Sequence, residues 1–149
     1  MVYMVVFVMV LGLAFSLFYR TLSVSGDLNR ISSDIIRTLH AGESWRDEIR
    51  AAIEPPRVVE ETGHAVLAIP RREGVVAYTF TNGAVWRQAA PDYVWKLFLA
   101  DVRTSRMEPD ARGKVTAWTW EVELKSRKRL VRVPPLFSFT SVAGTQTKP

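Results

Sequence analysis

The sequence predicts an α+β protein: a long N-terminal helix, with a membrane half and an amphipathic half, packed on a small antiparallel β-sheet. Three observations predict it. Residues 1–19 carry no charge, and residues 28–53 repeat apolar side chains at steps of three or four. From residue 57 the apolar repeat falls to two, and Asn82-Gly83 supplies a hairpin turn.

The first element reads MVYMVVFVMVLGLAFSLFY. A helix of that length rises about 28 Å, close to the ~30 Å hydrocarbon core of a bilayer. Tyr3 and Tyr19 stand near its ends, where amphipathic rings favour an interface. A buried core helix seldom stays uncharged for so long, and a cleaved signal peptide would carry a basic start and a shorter apolar run. Residues 1–20 therefore read as a transmembrane helix. The first basic residues, Arg20, Arg30 and Arg37, all follow the span. Taken alone, they would place the C-terminal side in the cytoplasm.

Residues 21–54 read as an amphipathic helix continuing the first. Leu28, Ile31, Ile35, Leu39, Gly42, Trp45, Ile49 and Ile53 form one stripe, and a bend is expected at Gly26. Glu54-Pro55-Pro56 ends the pattern, because proline lacks the N–H and disfavours helix in the residue before it. Trp45, Ile49 and Ile53 are expected under the chain's own sheet. Leu28, Ile31, Ile35 and Leu39 are expected to touch neighbouring subunits.

Residues 57–143 read as the sheet domain and residues 144–149 as a frayed tail. Strands are expected at 66–69, 74–80, 84–88, 114–125, 129–133 and 136–142. Residues 94–102 fit a strand or a helical turn, and 108–113 read as a loop. In 114–125, KVTAWTWEVELK, Trp118, Trp120, Val122 and Leu124 share one face.

The chain has 149 residues, no cysteine and a net charge of +5. Disulfides and thiolate metal sites are excluded, and the basic excess is too mild to announce a nucleic-acid binder. No phosphate loop, nucleophile elbow or zinc-protease pair occurs. His40, Ser44 and Asp47 share helical spacing without a pocket, and His64 stands alone. Asp92, Asp101, Glu108 and Asp110 lack calcium-loop spacing. No catalytic residue, cofactor or metal is therefore expected. The one dense charge cluster is Lys125, Arg127, Lys128, Arg129 and Arg132. It fits a protected strand edge, or a patch for an anionic partner.

A hydrophobic helix continuing into an amphipathic one, then a compact antiparallel sheet, resembles type IV pilin-like proteins. VVAYTFTNGAVWRQ is similar to the valine–x–tyrosine, Asn-Gly, apolar–x–arginine hairpin of minor pseudopilins of type II secretion, the J type most of all. VYMVVFVMVLGLAF with FYR, and RTLHAGESWRDEIRAA, are similar to the body and end of their helix. Such proteins start with a basic leader ending in glycine, followed by a glutamate. Neither precedes Met1-Val2-Tyr3, as if an internal methionine had been taken as the start or the member were divergent. The resemblance implies a non-enzymatic structural subunit of a type II secretion or type IV pilus-like assembly. Its partners would be other pseudopilin subunits, an inner-membrane platform and lipid, with nucleic acid disfavoured. Its place would be the bacterial inner membrane, single-pass, with a periplasmic C-terminal domain. The alternative is a single-pass anchored β-domain that binds a ligand, partner or DNA without any fibre.

Overall fold

The structure, a computed structural model, describes residues 2–61, 63–112, 115–125 and 135–144. Among the described residues one helix, α1 (Val2–Arg50), is followed by eight strands: β1 (Arg57–Glu61), β2 (His64–Arg71), β3 (Gly74–Thr81), β4 (Ala84–Gln88), β5 (Lys96–Leu99), β6 (Val102–Arg112), β7 (Val115–Leu124) and β8 (Leu136–Val142). The chain divides into two compact units, Met1–Arg37 and Thr38–Pro149. The first is helical and the second holds every described strand together with the end of α1.

The second unit overturns the expected fold class. It is not a small sheet lying along a long helix. The strands make a five-stranded antiparallel sheet of order β1-β2-β3-β4-β5 and a three-stranded antiparallel sheet of order β6-β7-β8. Strand is the dominant structure, and the helix this domain contains is short, residues 38–50. The physical reason lies in the connections. Every pairing within each sheet joins consecutive strands, and such meanders need only short links. Strands therefore take most of the chain beyond residue 57.

The membrane reading is corrected as well. No helix among the described residues is long and apolar enough to cross a membrane. Charge enters α1 at Arg20 and recurs at Asp27 and Arg30. The transmembrane span, the single-pass inner-membrane placement and the periplasmic orientation drawn from it therefore lose their support.

Other boundaries also move. The helix ends at Arg50, four residues before the expected Glu54, and its assignment runs through Gly26 without interruption. Residues 57–61 form β1, where the sequence suggested no separate strand. The expected loop at 108–113 is largely strand, since β6 runs to Arg112 and pairs with β7 as far as Val115. Pro109 lies within β6. It is tolerated because β6 is an edge strand of its sheet. Residues 94–102 resolve into β5 and the start of β6. The strand expected at 129–133 lies outside the described residues.

The hairpin forms as its dipeptide predicts. Asn82 and Gly83 both have positive φ, 53° and 73°, which suits a primed turn. Around that turn Tyr78 pairs with Arg87, Thr79 with Trp86 and Thr81 with Ala84. The first residue of β6 ties to it, Val102 N–H donating to the Gly83 carbonyl at 3.0 Å.

The core is a single cluster drawn from the helix end and both sheets. Leu67 and Ile69, Val76 and Tyr78, and Trp118, Trp120, Val122 and Leu124 point inward at alternate positions. Trp45 and Ile49, one turn apart on α1, are fully buried among them. Ile53 departs from the expected stripe and stands 46% exposed, because the helix has already ended. Trp120 is the hub of the aromatic packing, with ring centroids 5.8 Å from Trp45, 5.5 Å from Phe139 and 6.2 Å from Phe98. Its indole N–H donates to Ser105 Oγ at 2.9 Å.

Candidate functional site

The strongest polar constellation is built where the last turns of α1 meet β2, β3 and β4. The stripe that buries Trp45 and Ile49 also carries Glu48 inward. A buried carboxylate needs partners to offset its lost hydration. Arg87 donates from Nε at 3.0 Å and from Nη2 at 2.5 Å to Glu48 Oε1. The hydroxyl of Tyr78 donates to Glu48 Oε2. Arg71, at the end of β2, brings Nη1 to 3.8 Å of Oε1. Two guanidinium groups and a phenol thus surround one carboxylate.

The electrostatics follow from that arrangement. Burial, then the charge of Glu48 and the hydrogen bond to it, hold the Tyr78 hydroxyl protonated far above the usual tyrosine range. Burial opposes the charge on Arg87, but the hydrogen bond and charge of Glu48 outweigh it and push the guanidinium pKa up. The cluster can hold charge and fix geometry. It has no nucleophile with a base beside it and no pair of oxyanion donors, so it acts as a structural clamp between helix and sheet.

A second junction joins α1 to β8. A Cβ on Gly42 would stand 2.1 Å from the Phe139 ring, so only glycine lets that ring approach the helix. The Arg46 guanidinium carbon lies 5.5 Å over the same ring. Ser141 Oγ donates to the Arg46 carbonyl at 3.1 Å. The buried Trp45 indole N–H has no partner among the described residues.

The residues singled out from sequence fall as follows. Ile35 is half-buried and Leu39 is 46% exposed, while the side chains of Leu28 and Ile31 lie outside those described. Lys125 is exposed and anchored through its backbone N–H to the Asp101 carbonyl at 2.7 Å. Arg127, Lys128, Arg129 and Arg132 lie outside the described residues. His40, Ser44 and Asp47 are all exposed, and Asp47 is engaged by Arg50 at 3.0 Å. Among the described acids and histidines no cluster could hold a metal ion. Asp92 meets Lys96 at 3.4 Å and Glu108 meets Arg106 at 3.2 Å.

The Glu48 cluster escaped the sequence reading, although two signals for it were present. A two-residue turn at Asn82-Gly83 places Tyr78 opposite Arg87 by simple counting. Glu48 stands directly before the inward Ile49, on the edge of an apolar stripe.

In the unit Met1–Arg37 the described side chains are of another kind. Tyr3, Phe7, Met9, Val10, Leu11 and Phe15 are large, apolar and between 44% and 92% exposed.

Searches of protein-family models, curated proteins and solved structures find no match to this chain.

Proposed function

We propose that the chain is a non-enzymatic structural subunit that works by assembly, in the manner of a pseudopilin in a type II secretion or type IV pilus-like complex. The observation that carries this reading is the exposure of Tyr3, Phe7, Met9, Val10, Leu11 and Phe15 on one helix. Isolated apolar side chains on a surface are ordinary, but a concentration of large ones marks a surface made to be covered. Helices of the same character in neighbouring subunits are the matching partner, since apolar helix faces pack by interdigitating side chains. The Tyr78, Asn82-Gly83 and Arg87 hairpin, which carries the resemblance to minor pseudopilins, adds support.

In this reading the two units divide the work. The helical unit provides the contact, and the β-domain is the cargo it places in the assembly. The clamp of Glu48, Tyr78 and Arg87 keeps the end of α1 fixed to that cargo.

The test is co-purification of the full chain with pilin-like subunits from its own cells. Glutamate at Phe7 and Phe15 should remove that association while the β-domain keeps its near-ultraviolet circular dichroism. Equal co-purification by the double variant would defeat the reading. So would a wild-type chain that brings down no such subunit.

A further inference from the structure

The β-domain carries an open cleft of about 520 Å³ beside the end of α1. Ala51, Ala52 and Ile53 form its apolar side, and Arg71, Arg72 and Glu73, at the turn from β2 to β3, form the other. The two sides are fastened together, Ile53 N–H donating to the Pro70 carbonyl at 2.9 Å. Arg50 lies at the rim.

The geometry points to this cleft as a binding site for an extended peptide segment of a partner protein that carries a carboxylate. The charges at the cleft are unequally satisfied. Arg50 is matched by Asp47 at 3.0 Å. Arg71 reaches Glu48 only at 3.8 Å, and that carboxylate already accepts from Arg87 and Tyr78. Among the described residues, Arg71 makes no closer ion pair than this one. Arg72 is exposed and forms no ion pair among the described residues. Two guanidinium groups adjacent in sequence, one loosely paired and one without an ion pair among the described residues, are suited to a planar carboxylate, which each can bind through paired N–H groups.

The remaining lining favours a peptide over a nucleic acid. Among the described residues no aromatic side chain lines the cleft, so a base has nothing there to stack upon. Glu73 would repel a run of phosphates, yet it can accept a hydrogen bond from a peptide N–H. Ala51, Ala52 and Ile53 offer apolar surface to the side chains flanking the carboxylate. This site is separate from the helix contact proposed above and does not depend on it.

The test is fluorescence anisotropy on the full chain with labelled pentapeptides at low salt. The principal probe is glycine–leucine–glutamate–leucine–glycine with an amidated C-terminus. A glutamine version tests the side-chain carboxylate, and the glutamine version with a free C-terminus tests a terminal one. At least one carboxylate-bearing peptide should bind about tenfold more tightly than the amidated glutamine peptide. The arm that binds identifies which carboxylate is taken. Arg72→Glu should abolish that binding without lowering the melting temperature, and Arg57→Glu, on exposed β1, should leave it intact. The inference is overturned by equal binding of the amidated glutamine peptide, or by equal loss in both variants. It is also overturned if no carboxylate peptide saturates the protein below about 10 mM, or if a short oligothymidylate displaces the bound peptide.

Discussion

Arg87 donates two hydrogen bonds, from Nε at 3.0 Å and from Nη2 at 2.5 Å, to one oxygen of Glu48. The residues are 39 positions apart in sequence and join the end of α1 to β4 of the larger sheet. Removing the acceptor would leave a part-buried guanidinium and a buried phenol without it. Glu48→Ala should therefore lower stability by about 2–4 kcal/mol, less than for a wholly buried pair because Arg87 keeps some access to water. Urea unfolding followed by tryptophan fluorescence measures this. An unchanged midpoint would remove the clamp from the account.

Tyr78 gives the clamp a pH dependence whose sign is fixed. Its folded pKa is raised above the unfolded value of about 10. The stability it contributes is therefore fully present below pH ~10 and is lost as the pH rises beyond that value. Tyr78→Phe should cost about 1 kcal/mol at neutral pH. The gap between variant and wild type should shrink when urea midpoints are compared at pH 8 and pH 11. A gap that widens at alkaline pH would contradict the assignment.

Gly42 faces the Phe139 ring with no room for a methyl group. Gly42→Ala should overpack this junction and destabilise the domain by about 1–3 kcal/mol, despite the better helix propensity of alanine. Shortening the ring in Gly42→Ala/Phe139→Leu should recover part of the loss. A single variant as stable as wild type would show that the helix does not sit this close to β8.

Gly83 has φ of +73° in the turn of the β3–β4 hairpin. Gly83→Val should strain that turn and lower stability by about 1–3 kcal/mol. Thermal melts of the two proteins provide the comparison. Matching melting temperatures would refute the turn geometry.

The parts of the fold that rest on local rules were legible in the sequence. Asn82-Gly83 specified its turn, and alternation placed Trp118, Trp120, Val122 and Leu124 on one buried face. Helical spacing placed Trp45 and Ile49 in the core. The readings that failed depended on context. Residues 108–113 read as a loop, but β6 runs to Arg112, and its edge position in the sheet removes the cost of the missing N–H of Pro109. Ile53 continued the apolar stripe on paper, yet the helix stops at Arg50 and leaves it exposed. The uncharged start suggested a membrane span, while no helix of the described residues is long and apolar enough for one. Division of the strands between two sheets could not be read from any local pattern. The Glu48 cluster needed the hairpin register and the helix face to be combined, which neither supplies alone.

The central claim is that the exposed apolar side chains of α1 are covered by partner subunits. Phe15 is 62% exposed, and the chain has no cysteine to interfere with a unique label. The measurement is cross-linking in the protein's own cells, with a thiol-reactive photo-cross-linker attached to Phe15→Cys and, as a control, to Lys96→Cys on β5. The account predicts covalent adducts with pilin-like subunits from position 15, identified by mass spectrometry, and none from position 96. Position 15 yielding only unmodified monomer, or the same scattered adducts as position 96, would contradict it.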